Sequence, residues 1–150
     1  MKLPDSIRIE ASAGGQSLAG IFVSVEIKTI RKNHFILTFG PTDAVGKITI
    51  SRDDLMREGE AVHRFFLMDY GHPEADFSGE MVIAALDVDA LDRAIKAYEL
   101  YSSVWDYPPN YLDDIQRSKE TLKHLGQATL AIKVEHDGEG IAVKVKTPQM

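Results

Sequence analysis

No cysteine occurs in the 150 residues, which excludes disulfides, thiolate metal sites and a cysteine nucleophile. No apolar run reaches membrane-spanning length, and the opening MKLPDSIRIE lacks the apolar core of a signal peptide. The expectation is a soluble, cytoplasmic protein. Basic clusters are scarce too: only Lys28, Arg31 and Lys32 group, beside His34. Residues 41–86 carry four basic against nine acidic groups, and the whole chain is net −6. That balance argues against a nucleic-acid partner, whose phosphates need clustered Lys and Arg. Internal repeats and low-complexity tracts are absent.

What is present is an ordinary globular composition, 44% apolar and 27% charged, at a length that suits one domain. Ile7, Ile9 and Ala11 alternate with Arg8 and Glu10, which reads as a strand. Ile21, Val23, Val25 and Ile27 form one face of a second strand; after RKNH a strand resumes from His34 to Phe39, completing a hairpin. Lys47–Ile50 is a short strand. Ser51-Arg-Asp-Asp54 has the form of a capping box and predicts a helix over about 52–58. Val62–Met68 reads as a strand, and the continuous apolar run EMVIAAL, 80–86, as a central one.

From Asp87 the period becomes helical. Val88, Leu91, Ile95, Tyr98 and Trp105 share a stripe, capped by Asp87 or Asp89 and reaching about Val104. YPPN stops this helix, and a second runs from about Tyr111 to Leu125 with Tyr111, Ile115, Leu122 and Leu125 on its stripe. Ala128–Glu135 and Ile141–Val145 alternate about HDGEG, which reads as a terminal hairpin. The sum is a single α+β domain over 1–150. Its antiparallel β-sandwich-like core spans 5–86 and 127–147, with a helical hairpin inserted over 87–126 (helical over about 88–125).

GPTDAVGKITI, 40–50, has nearly the skeleton of a phosphate loop. However, five residues separate Gly40 from Gly46, Ile48 stands where Ser or Thr must reach magnesium, and a strand follows instead of a helix. The turn alternative gives three residues a role in the backbone. Pro41 presets φ, Asp43 accepts amide hydrogen bonds, and Gly46 takes positive φ before the strand.

Leu18, Ala19, Gly20 and Val23 within GGQSLAGIFVSVEI, with Thr42, Asp43, Gly46, Ile48 and Ile50 within TDAVGKITI, make about residues 5–50 resemble the transthyretin-like (prealbumin-like, carboxypeptidase-regulatory-like) β-sandwiches. The urate-pathway hydrolases of that family end in a Tyr-Arg-Gly-Ser type tail, whereas this chain ends KVKTPQM. The intradiol dioxygenases of a related sandwich use a closely spaced His pair, and no His-x-His occurs here. The resemblance therefore implies a structural or binding module.

Among chemical constellations, His63, Asp69, His72, Glu74 and Asp76 offer imidazole and carboxylate donors suited to zinc, manganese or iron, at no compact motif spacing. No G-x-S-x-G elbow occurs. Asp53–Asp54 and Asp113–Asp114 lie at predicted helix starts, where acids offset the helix dipole. The aromatic group Tyr98, Tyr101, Trp105, Tyr107 and Tyr111 surrounds the bend between the helices. Tyr101, Trp105, Tyr107 and Tyr111 are the candidates for protein contact, since Tyr and Trp bury large rigid area and keep a polar handle. The leading expectation is a non-enzymatic protein-interaction or structural accessory domain, self-associating or serving a protein partner, with no cofactor. The alternative is a small metal-assisted hydrolase or other small-molecule enzyme using the 63–76 loop. A weaker one, from size and charge alone, is an acidic inhibitor or immunity-type protein.

Overall fold

A computed structural model describes residues 3–28, 34–58, 80–104 and 106–146. Strands β1 (Ser6–Ala13), β2 (Gln16–Ser17), β3 (Val23–Lys28), β4 (His34–Phe39) and β5 (Lys47–Ser51) lead into helix α1 (Arg52–Glu58). Then come β6 (Glu80–Ala85), α2 (Val88–Tyr101), α3 (Tyr111–Lys123), β7 (Leu130–Asp137) and β8 (Ala142–Lys146). The protein is α+β, as the change from twofold to helical periodicity indicated.

Two sheets share the strands. In the first, β1 is central. It pairs antiparallel with β7 along one edge, and along the other with β5, then β2. The second has the order β4-β3-β6-β8. Strict alternation sends Ile7, Ile9 and Ala11 of β1 and Ile50 of β5 inward. Val23, Val25, Ile27, Leu37, Met81 and Ile83 come from the second sheet. Side chains of both sheets interleave as one core, closed by Leu55 and Met56 of α1 and by Leu3 and Ile141. Each such side chain, fully buried, contributes about 2–3 kcal/mol of transfer free energy.

Three expectations need correction. The last two strands are not a hairpin: β7 joins β1 in the first sheet and β8 joins β6 in the second. Both flank the turn HDGEG, but each strand finds its apolar partner face in a different sheet, so the turn becomes an arch across the sandwich. Second, β8 runs parallel to β6, so the second sheet is mixed rather than antiparallel. Third, α2 ends at Tyr101 and α3 at Lys123, each short of the expected Val104 and Leu125. The expected strand Val62–Met68 lies outside the described residues.

Local chemistry explains the joints. Ser51 Oγ accepts the Asp54 amide at 3.0 Å while Asp54 Oδ2 accepts the Ser51 amide at 3.0 Å, the reciprocal box that starts α1. The hydrogen bonds from Ser51 and from Arg57 hold the Asp54 carboxyl below its ordinary range. The 40–46 turn carries the chain from one sheet to the other. Asp43 Oδ1 accepts the amides of Val45 and Lys47 at 3.0 and 2.9 Å. Buried Thr42 accepts the Ile21 amide at 3.0 Å through Oγ1 and donates to the Leu18 carbonyl at 2.8 Å. Gly46 has φ +78°, and its carbonyl accepts the Ala11 amide at 2.7 Å, tying the turn to β1.

Candidate functional site

Phe22 at the entry to β3 and Leu86 at the exit of β6 meet at one end of the sandwich, where the Leu86 amide donates to the Phe22 carbonyl at 2.9 Å. Phe22 is buried there with Leu91 of α2 and Ile115 of α3, with Ala94, Ile95, Tyr111 and Leu122 packed around them. The helical hairpin thus packs where Phe22 and Leu86 meet, forming a second core cluster apart from that of the sandwich. Asp87 Oδ1 caps α2 by accepting the Ala90 amide at 2.8 Å. An Asp92–Lys119 ion pair links the two helices, and that contact holds the Asp92 carboxyl below its ordinary range. Ser118 is fully buried at the α2–α3 seam, and its Oγ has no hydrogen-bond partner. Its small size, rather than its hydroxyl, suits it to the seam.

The bend between α2 and α3 is lined with aromatics. Tyr98 and Tyr107 meet edge to face at 5.0 Å between centroids, Tyr107 and Tyr111 at 4.8 Å, and Tyr98 stacks on Tyr111 at 6.0 Å. Tyr111 also meets Phe22 edge to face at 6.5 Å, joining this cluster to the base of the hairpin. Burial, then neighbouring tyrosines, pushes the Tyr107 and Tyr111 hydroxyls above their ordinary value, so both stay protonated donors. Asn110 takes a left-handed conformation at φ 65°, and the Tyr111 amide reaches back to the Pro108 carbonyl at 3.1 Å. A cleft of about 420 Å³ opens beside this bend between Tyr98, Asp106, Pro109 and Asp113.

Of the expected contact residues, Tyr107 and Tyr111 are therefore drawn into a packed cluster with Tyr98. Tyr101 is 45% exposed. Trp105 lies outside the described residues, as do all five metal candidates, His63, Asp69, His72, Glu74 and Asp76. Among the described residues, no three His, Asp or Glu side chains gather as a metal site, and no helix is long and apolar enough to cross a membrane.

Sequence reasoning passed over Leu100 and Val104, which are 70% and 73% exposed. The signal was available. At about 100° per residue they fall on the side of the helical projection opposite Leu91, where solvent should meet polar groups. With Tyr101 they form an apolar group at the free end of α2. Acids predominate around it in sequence: from Ala97 to Gln116 there are Glu99, Asp106, Asp113 and Asp114 and no basic residue, while exposed Lys96 lies one helical turn before Leu100.

A second concavity, about 140 Å³, lies on the outer face of the first sheet among Arg8, Glu10, Lys47, Lys133 and Glu135. There the charges answer one another. Arg8 pairs with Asp137 and, at 3.3 Å, with Glu135, while Ser6 Oγ donates to Asp137 at 2.9 Å. Those contacts raise the Arg8 guanidinium and lower the Asp137 carboxyl from their ordinary values. This face is a solvated charge ladder in which Arg8 is answered across the strands by Glu135 and Asp137.

Set against models of protein families, curated proteins and solved structures, the chain matches none.

Proposed function

We propose that the protein is a non-enzymatic contact domain, with the β part as scaffold and the free end of the helical hairpin as its binding tip. The carrying observation is the exposure of Leu100, Tyr101 and Val104 together at that end. Isolated exposed apolar side chains are common, but adjacent ones rimmed by polar groups favour an interface. The acids around the tip define the partner's chemistry: a protein surface with an apolar pocket rimmed by Lys or Arg. The part-buried cluster of Tyr98, Tyr107 and Tyr111 beside the tip supports this reading, since their ring contacts leave less side-chain freedom to lose on binding. The Thr42–Gly46 turn, which carries the resemblance to the transthyretin-like sandwiches, acts as framework, and this favours the scaffold role of the sheets.

The test is a photo-crosslinking residue at position 100. Expected is one discrete protein adduct that disappears in L100D/V104D and weakens steeply with salt. A ladder of unspecific adducts, or an adduct indifferent to V104D and to salt, refutes the reading.

A further inference from the structure

The edge of the first sheet carries a pattern that the tip does not explain. Among the described residues β7 pairs with β1 alone, leaving eight residues, Leu130–Asp137, along an open edge. Open edges are templates for another strand, and proteins usually guard them with like charges or short lengths. β8, the edge of the second sheet, is guarded in this way: it has five residues and carries Lys144 and Lys146 on its exposed face. β7 carries instead Lys133, Glu135 and Asp137 on its exposed face, a mixed set. Its inward residues Ile132 and Val134 pack on the core yet stay only partly buried, with no described strand on their outer flank.

We infer that β7 is a self-complementary edge that pairs antiparallel with β7 of a second copy, about a two-fold axis at Val134. Charge favours this register, since centring on Ile132 sets Lys133 against Ala131 and gains no opposite-signed pair. A two-fold pairing that keeps inward residues inward must centre on a residue of β7, because a one-residue slip reverses the faces. Centring on Lys133 opposes Lys133 to itself, and centring on Glu135 opposes Glu135 to itself. Centring on Val134 sets Lys133 against Glu135 of the second copy, twice by symmetry. It also places Val134 against Val134 and Ile132 against His136 on the inward side. The existing rows then continue across the junction. Lys47, Glu10 and Lys133 already lie in one row, and Thr49, Arg8 and Glu135 in the next. Joined at the axis they read Lys47, Glu10, Lys133, then Glu135, Arg8 and Thr49 of the second copy, with signs alternating at every charged step. Lys133 and Glu135 are 76% and 58% exposed; the loose 3.9 Å contact between them within β7 would give way to the contacts across the axis, while Glu135 keeps Arg8. Strand-to-strand burial of this size gives a modest interface, with dissociation in the micromolar range.

The experiment is sedimentation of the full chain as wild type, K133E, E135K and an equal mixture of the two variants, with circular dichroism to establish folding. Expected is a wild-type dimer, dimerisation at least about tenfold weaker in each variant alone, and recovery in the mixture, where both 133–135 contacts become opposite-signed again. A chain without cysteine allows a second reading that needs no charge reversal. V134C should cross-link to itself under oxidised glutathione, because the axis brings position 134 within disulfide reach of its copy, while A131C should not. A wild type that stays monomeric, a variant that dimerises like wild type, a mixture that stays monomeric, or equal cross-linking of V134C and A131C overturns the proposal. L100D/V104D should keep the dimer. If it loses the dimer while K133E retains it, association belongs to the hairpin tip instead.

Discussion

Substituting Gly46 by alanine tests how the two sheets are joined. Two effects oppose the change. The residue sits at φ +78°, where an L side chain costs about 1 kcal/mol. The new methyl would also stand 2.6 Å from the Ala11 carbonyl oxygen and 2.9 Å from the Leu18 amide nitrogen. Both neighbours are backbone and are held. The Ala11 amide donates to the Gly46 carbonyl, and the Leu18 amide donates to the Ala11 carbonyl at 2.9 Å. Relieving the clash weakens at least one of these bonds, adding about 1–2 kcal/mol. Gly15 isolates the first effect, because it has φ +79° with nothing within 4 Å of its added methyl. Urea unfolding should therefore show a loss of about 1 kcal/mol for G15A and about 2–3 kcal/mol for G46A, the latter lowering Tm by about 4–12 °C. Equal losses in the two variants would refute the argument that Gly46 is required by close approach.

Three further outcomes follow from the same structure. Thr42→Val keeps the shape but leaves the Ile21 amide and the Leu18 carbonyl without this buried partner, so urea unfolding should show a loss of about 2 kcal/mol, whereas Thr42→Ser should stay near wild type. Ser118→Ala removes a hydroxyl that bonds to nothing, and thermal unfolding should show no loss or a small gain; a loss above about 1 kcal/mol would mean the hydroxyl is used. Asp54→Ala should cost under about 1 kcal/mol at neutral pH, given the carboxyl's partial exposure. The folded Asp54 titrates below the ordinary 3.8, so its contribution is present above that value and is lost as pH falls through the lower folded value. Unfolding curves of wild type and variant should therefore converge in acid, and a gap that persists there would contradict this.

The alternation of Ile7–Ala11 and Ile21–Ile27, the capping box at Ser51 and the stripe through Leu91 were all legible because each is a local signal in phase with its own element. The role of Asp43 in the 40–46 turn was legible for the same reason. What was not legible depends on which distant face an element meets. HDGEG has the composition of a hairpin turn, and nothing within residues 128–145 says that β1 will claim one strand and β6 the other. Parallel pairing of β8 with β6 is hidden for the same reason. At the hairpin, the aromatic group was legible by residue type, but which rings meet, Tyr107 and Tyr111 with Tyr98 and Tyr111 with Phe22, was not. Leu100 and Val104 lie out of phase with the buried stripe, a local signal of exposure.

The arch between β7 and β8 has a kinetic consequence. β1 finds its longest partner across 131 positions of sequence, from Ser6 to Asp137. During synthesis, one edge of β1 stays open until β7 emerges, and β6 likewise waits for β8. Long-range pairing of this kind folds slowly and leaves strand edges exposed meanwhile. The two helices of the hairpin pair with each other over a short separation and, with Phe22 already synthesised, can pack before β7 and β8 emerge, so the nascent protein carries its hairpin on an unfinished sandwich.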